Sequence, residues 1–375
     1  MEPPKNTPPI PSRHPAHVQE KMKKRRHVRK MLLCLLPAVA LMVLIVFVKL
    51  PGPDTWNTNI LRSDEIPIDS DGFYAVSECE FSVLGSGYLR EEICSVTFLD
   101  TLSGAPEDAW DVSEAGDGSV MAWVEPEDGM YRLSIAGEGG VSAGASCRDL
   151  FAGYTNVTQI SFDGNFHTDA VQDMDAMFYY CFSLTALDLS SFDTSAVQDM
   201  SHMFFDCFSL TALNLSAFDT SAVQDMGAMF YDCSSLASLD LSSFDTSAVQ
   251  DMGAMFFDCG SLTALDLSSF DTSAVQDMSM MFESCSSLTS LDLSSFDTSA
   301  VQHMSQMFCN CGSLTVLDLS SFDTSAVQDM SQMFLLCQAL TSLDLSSFDT
   351  SAVQDTTWML FHCPAGDDWQ HLLKD

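Results

Sequence analysis

Aspartate returns at Asp240, Asp266, Asp292, Asp318 and Asp344, one every 26 residues, with Asp188 two periods earlier and Asn214 between them. Each is followed two positions on by serine, as in Ser190, Ser242 and Ser268. Carboxylate and hydroxyl oxygens are hard donors of the kind calcium takes, and a file of carboxylates also attracts a basic protein surface. These nine residues are the candidate ligand- or cation-binding face. A second file follows at Asp193 and its six equivalents, and a third at Asp199, Asp225, Asp251, Asp277 and Asp329, interrupted by His303. Like charges ~5 Å apart repel by about 0.8 kcal/mol even in bulk water. Cations or a basic partner can relieve that, and so can water, salt and local hydrogen-bond donors; both readings stay open. Catalysis is not expected. The histidines (His167, His202, His303, His362, His371) sit at unrelated phases, and no nucleophile elbow, zinc-helix motif or phosphate loop occurs. Carboxylates in one repeated environment are no acid/base pair, which needs two environments. The expectation is no enzyme and no cofactor, calcium apart.

Charge narrows the partners. The 375-residue chain has a formal net charge of -37. Residues 1–30 carry nine Lys/Arg against two Glu, and no Lys or Arg occurs between Asp149 and His371. Phosphate binding needs clustered cations, so nucleic acid is excluded as a partner of the large acidic part.

The elements that must hold these files follow from the same period. Cys181, Cys207, Cys233, Cys259, Cys285, Cys311, Cys337 and Cys363 are 26 residues apart, as are Phe192 and its equivalents through Phe348. A fixed period of this length marks stacked units that bury one another's apolar faces. Leu187 and Leu189 alternate with Asp188 and Ser190, the pattern of a short strand. Val197, Met200, Met203, Phe204 and Cys207 recur at three and four, the stripe of a helix, and Ser195/Gln198 reads as a capping box at its start. The fold class expected is α/β: a leucine-rich-repeat-like solenoid with a parallel β-sheet on one face and short helices on the other. The ladder cysteines point the same way, which does not suit a disulfide dihedral, so they are expected as reduced packing thiols. Cys79 and Cys94, outside the ladder, are the better disulfide candidates. The Phe192 file is expected to form a stacked spine.

Ahead of the repeats, Met31–Val48 is an uncharged run of eighteen residues behind the basic block KMKKRRHVRK. It reads as one N-terminal transmembrane helix, a signal anchor with the N-terminus cytoplasmic and the repeats extracellular. The organisation expected is a basic tail (1–30), the anchor (31–49), a tether (50–71), a small β-rich N-terminal cap (72–147), the solenoid (148–363) and a C-terminal cap (364–375). No feature sets an oligomeric state.

The unit L-T-x-L-D-L-S-x-F-D-T-S-x-V-x-x-M-x-x-M-F-x-x-C resembles the leucine-rich repeat of BspA-like bacterial surface proteins, and the likeness covers Val157 to Cys363. The preceding SVTFLDTLSGAPEDAWDVSEAGDGSVMAWV and CRDLFAGYTNVTQISF are similar too. The resemblance implies adhesion without catalysis, with a host matrix or cell-surface protein as partner. The alternative function is a non-specific structural spacer or a divalent-cation-binding coat.

Overall fold

The computed structural model describes residues 59–62 and 81–373, all within one compact unit, Trp56–Asp375. Short apolar runs broken by glycine-rich turns build its first part: β1 (Ile60–Leu61), β2 (Ile93–Leu99), β3 (Trp110–Asp111), β4 (Val120–Glu127), β5 (Met130–Gly137) and β6 (Val141–Ala143). β7 (Gln159–Ser161) and β8 (Phe166–His167) follow at the start of the repeats. A mixed sheet runs β3-β4-β5-β2-β7, with β4 and β5 antiparallel and β2 parallel to both β5 and β7. Alternation in SVTFL turns Val96 and Phe98 inward, where both are fully buried. The β4–β5 hairpin closes at Asp128 and Gly129, both at positive φ (50° and 84°), as a two-residue loop requires. β1 pairs with β6 in a second, parallel sheet, so Ile60 and Leu61 belong to the fold and not to a tether.

The repeats stack as successive coils. Isolated parallel bridges run Ser146–Asp173–Asp199–Asp225–Asp251–Asp277–His303–Asp329–Asp355 without a gap. On the leucine side, β9 (Ala186–Asp188) pairs with β10 (Ala212–Asn214), and β11 (Val316–Asp318) with β12 (Ser342–Asp344), both in parallel. The intervening coils carry no strand there. One continuous core runs from Leu61 to Leu372 and takes in the repeating Leu, Phe, Val, Met and Cys.

Several expectations are corrected here. The α/β solenoid is overturned on its elements. Among the described residues there is no α-helix; the helical segments are two short 3-10 turns, Arg90–Glu92 and Pro364–Leu372, and the sheets are small and separate. Val197–Cys207 is a staircase of turns. A helix would send each N–H four residues back in its own chain. Instead Met200, His202, Phe204 and Asp206 donate to the carbonyls of Asp225, Gly227, Met229 and Tyr231 in the next coil, while Met203, Phe205 and Cys207 reach back three residues. His202 and Asp206 take left-handed φ (55° and 60°), and their equivalents do so in every coil. Four-residue turns bring every third and fourth side chain inward as a helix does, so the apolar spacing is the same. Ser195/Gln198 is no capping box: Ser195 N–H and Oγ donate to Asp193 Oδ1 at 3.0 and 2.7 Å, and Gln198 N–H donates to Gln172 O. The stacked aromatic spine is the Phe204 file, not the Phe192 file. From Phe178 to Phe334 successive rings lie 5.5–5.8 Å apart and 2–10° from parallel.

The placement in a cell membrane is corrected as well. Among the described residues no helix is long and apolar enough to cross a membrane. Met31–Val48 and the basic tail lie outside the described residues, as does Cys79. Cys94 is a free thiol.

Candidate functional site

The same aspartate occupies two different environments in each coil. On the leucine side, Asp188, Asp240, Asp266, Asp292, Asp318 and Asp344 are all exposed, with Asp188, Asp318 and Asp344 closing strands. Each folds its Oδ1 back onto the N–H of the serine two residues on, at 2.9–3.0 Å: Ser190, Ser242, Ser268, Ser294, Ser320 and Ser346. Asn214 makes the same turn with Ser216 at 3.1 Å. Hydrogen bonds from these serines hold Asp188, Asp240, Asp266, Asp292 and Asp318 below the usual carboxylate range. These five are therefore ionised, and all six stand exposed. Local donors make the file tolerable without any cation. Among the described residues no three His, Cys, Asp or Glu are grouped to hold a metal ion. Ser190, Ser242 and Ser268 are exposed and serve the turns.

The Asp199 file is half-buried on the staircase. It starts at a charge cluster. Arg148 Nη2 lies 2.6 Å from Asp175 Oδ2, and His202 Nδ1 lies 3.0 Å from Asp175 Oδ1. Ser201 Oγ donates to both Asp199 Oδ1 (2.6 Å) and Asp175 Oδ1 (3.0 Å). In the next two coils the serine is replaced by Gly227 and Gly253. A Cβ on Gly227 would meet Asp225 Oδ1 at 3.1 Å and Asp251 Oδ1 at 3.4 Å, so two carboxylates converge over a glycine floor with no hydroxyl between them. Burial, and then Asp251, push Asp225 up to about 7; burial and Asp277 raise Asp251. Asp225 and Asp251 keep one backbone donor each, the N–H of Gly227 (2.8 Å) and Gly253 (2.7 Å).

Residues 145–264, 209–314, 232–337 and 258–368 match the family described as Mycoplasma protein of unknown function, DUF285. Together the matches take in more than half of the chain. The chain belongs to this family. No curated protein and no solved structure matches it.

Both carboxylate files of this DUF285 chain lie in the matched region, and so do three features that the sequence reading missed. A buried threonine file ties coils together in both directions: Thr246 Oγ1 donates to Asp271 O at 2.8 Å and accepts from Asp271 N at 2.9 Å, and the same exchange recurs from Thr168 to Thr324 apart from Thr272, whose hydroxyl only donates. The T in every F-D-T-S was the available signal. Each ladder cysteine from Cys181 to Cys337 donates its thiol to a phenylalanine carbonyl of the preceding coil, as Cys259 does to Phe230 O at 3.1 Å, and burial pushes these thiols up. Glu283 replaces an aromatic where Tyr179, Phe205, Tyr231 and Phe257 stack. Burial pushes it up to about 8, beside Cys309 and Asp258.

Proposed function

We propose that this chain is a non-enzymatic binding protein that engages a basic, repetitive protein partner through the exposed leucine-side carboxylates. The observation that carries this reading is the uniformity of that file. Six exposed aspartates recur at one phase of the repeat, each pinned by its serine, on a stretch without a single Lys or Arg. Equivalent weak contacts on a partner that also repeats add through effective concentration and not through any one strong site. The likeness to BspA-like surface proteins supports adhesion to a host matrix or cell-surface protein as the biological setting. Stacked, buried carboxylates of one kind supply no acid/base pair, in keeping with a role without catalysis.

The test is binding of the full chain to immobilised matrix proteins, with calcium present or chelated. The comparison protein carries Asp→Asn at 188, 240, 266, 292, 318 and 344. Asn214 shows that asparagine keeps the turn, so this variant retains the fold and loses the charge. Binding should weaken steeply with salt and vanish in the variant. Equal binding by the variant would overturn the reading. Failure to bind any matrix protein would leave the spacer function, which the near-identical coils also support.

A further inference from the structure

We propose that Asn214 is an acceptor for N-linked sugar, taken from a donor whose anomeric carbon is activated as a diphosphate ester. Such transfer requires Asn-x-Ser/Thr with x other than proline. That sequence occurs twice in the chain, at Asn156-Val157-Thr158 and at Asn214-Leu215-Ser216. The fold treats the two differently. Asn156 is half-buried, and its Nδ2 donates to Glu91 O at 2.6 Å. The Thr158 hydroxyl turns away from it, to Cys94 O at 3.4 Å. Asn214 closes β10, and both it and Ser216 are exposed. Ser216 N–H and Oγ donate to Asn214 Oδ1 at 3.1 and 2.8 Å. The carbonyl end of the side chain is thus pinned, while Nδ2 makes no hydrogen bond among the described residues. Space around it is open. Ala212 shares its face of the strand, Ala186 pairs with Ala212 on β9, and both are small and exposed. In six other coils this phase holds aspartate, which has no nitrogen to give.

The hydrogen bonds of Ser216 bear on the chemistry. An amide nitrogen is a weak nucleophile because its lone pair is shared with the carbonyl. In the transfer Nδ2 bonds to the anomeric carbon, and the bond from that carbon to the diphosphate oxygen breaks. The diphosphate leaves with the electron pair, Nδ2 gives up one of its two protons, and nothing is oxidised or reduced. As the proton leaves, negative charge builds on Oδ1. Two donors already face that oxygen in Asn214, where they stabilise the charge without rearrangement. Thr158 offers Asn156 no such donor. The sugar would put a bulky, hydrated group at the coil where the carboxylate file lacks a charge.

The test begins with the full chain purified from the cells that make it, mapped by peptide mass spectrometry before and after peptide N-glycosidase. A sugar mass on Asn214 that the glycosidase removes is the expected result. Occupancy there should exceed that of Asn156 at least about tenfold, because Asn156 must first give up its hydrogen bond. Two further arms take unmodified, folded full chain and separate the donors. One adds membranes holding a polyprenyl-diphosphate oligosaccharide with its transferase; the other adds UDP-glucose with a soluble N-glycosyltransferase. Transfer to Asn214 in either arm supports the proposal and identifies the donor. Asn214→Asp keeps the turn that six aspartates make, so it should melt as the parent does and lose the modification. Ser216→Ala should lose it too, and Ser216→Thr should retain it. A bare Asn214 in the purified protein overturns the proposal. So does occupancy of Asn156 equal to that of Asn214, and so does full modification of the Ser216→Ala chain.

Discussion

Asp266 and Asp225 come from two files of one repeat, yet the protein treats them oppositely. On the leucine side the chain makes an exposed turn, and a serine N–H and hydroxyl lower the aspartate. On the staircase the same side chain lies half-buried against its own equivalent, and burial raises it to about 7. A period repeated in sequence repeats an environment along the stack, but says nothing of how two phases within one period differ. The staircase side is also the more continuous one: its bridges run through every coil and its rings stack from Phe178 to Phe334, whereas on the leucine side of the coils paired strands form only at β9–β10 and β11–β12.

The largest effect expected from that asymmetry is in the aromatic file. Phe256 is fully buried between Phe230 and Phe282. Phe256→Ala should cost about 3–5 kcal/mol in denaturant unfolding. A loss under ~1 kcal/mol would mean that the staircase does not carry the stability assigned to it. Next comes Thr246→Val, which leaves Asp271 N and O without their buried partner and should cost about 1–3 kcal/mol. Ser242→Ala, on the exposed side, should stay within about 0.5 kcal/mol. Equal costs for the two would erase the distinction between the sides.

Much of this was written in the sequence, and the missing part has a physical cause. The period is explicit, and the buried positions follow from it, because equivalent Leu, Met, Phe and Cys can only bury one another. The exposed Asp188 file is legible from strict alternation. What misled was the spacing of Val197, Met200, Met203, Phe204 and Cys207, which fits a helix and a run of four-residue turns alike. The discriminating signal lay elsewhere: Asp206, Asp232, Asp258 and Asn310 stand at one left-handed position, and Asp and Asn tolerate that region better than other non-glycine residues. Gly227 and Gly253 pointed to the converging carboxylates, but only coordinates show which oxygens meet over them.

Titration gives a third test. Asp225 binds its proton more tightly folded than unfolded. Its contribution is full below about pH 4 and is lost as pH rises through about 7. Asp225→Asn should remove that loss and leave the protein more stable than the parent at pH 8, on the order of 1 kcal/mol. Gly227→Ser supplies the hydroxyl that Asp199 receives from Ser201 and should lower the midpoint of Asp225, followed by carboxyl NMR. Asp266→Asn should instead remove a loss on the acid side, below about pH 4, since that carboxylate is held low. Matching pH profiles for the two asparagine variants would break the comparison.

The smallest effect is also the one that separates a staircase from a helix by its sign. Ala254 sits at φ 54°, and Ala264 lies at the exposed leucine-side position. In a helix, Ala254→Gly would cost about 1 kcal/mol through lost backbone restriction. In a left-handed turn the same change relieves a steric penalty of roughly 1–2 kcal/mol, offset by that entropy. The expected outcome is neutral to about 0.5 kcal/mol stabilising. Ala264→Gly has no such strain to relieve and should cost about 0.5–1 kcal/mol. Paired melts of the two variants measure the difference directly; a loss at position 254 as large as at 264 would return the segment to a helix.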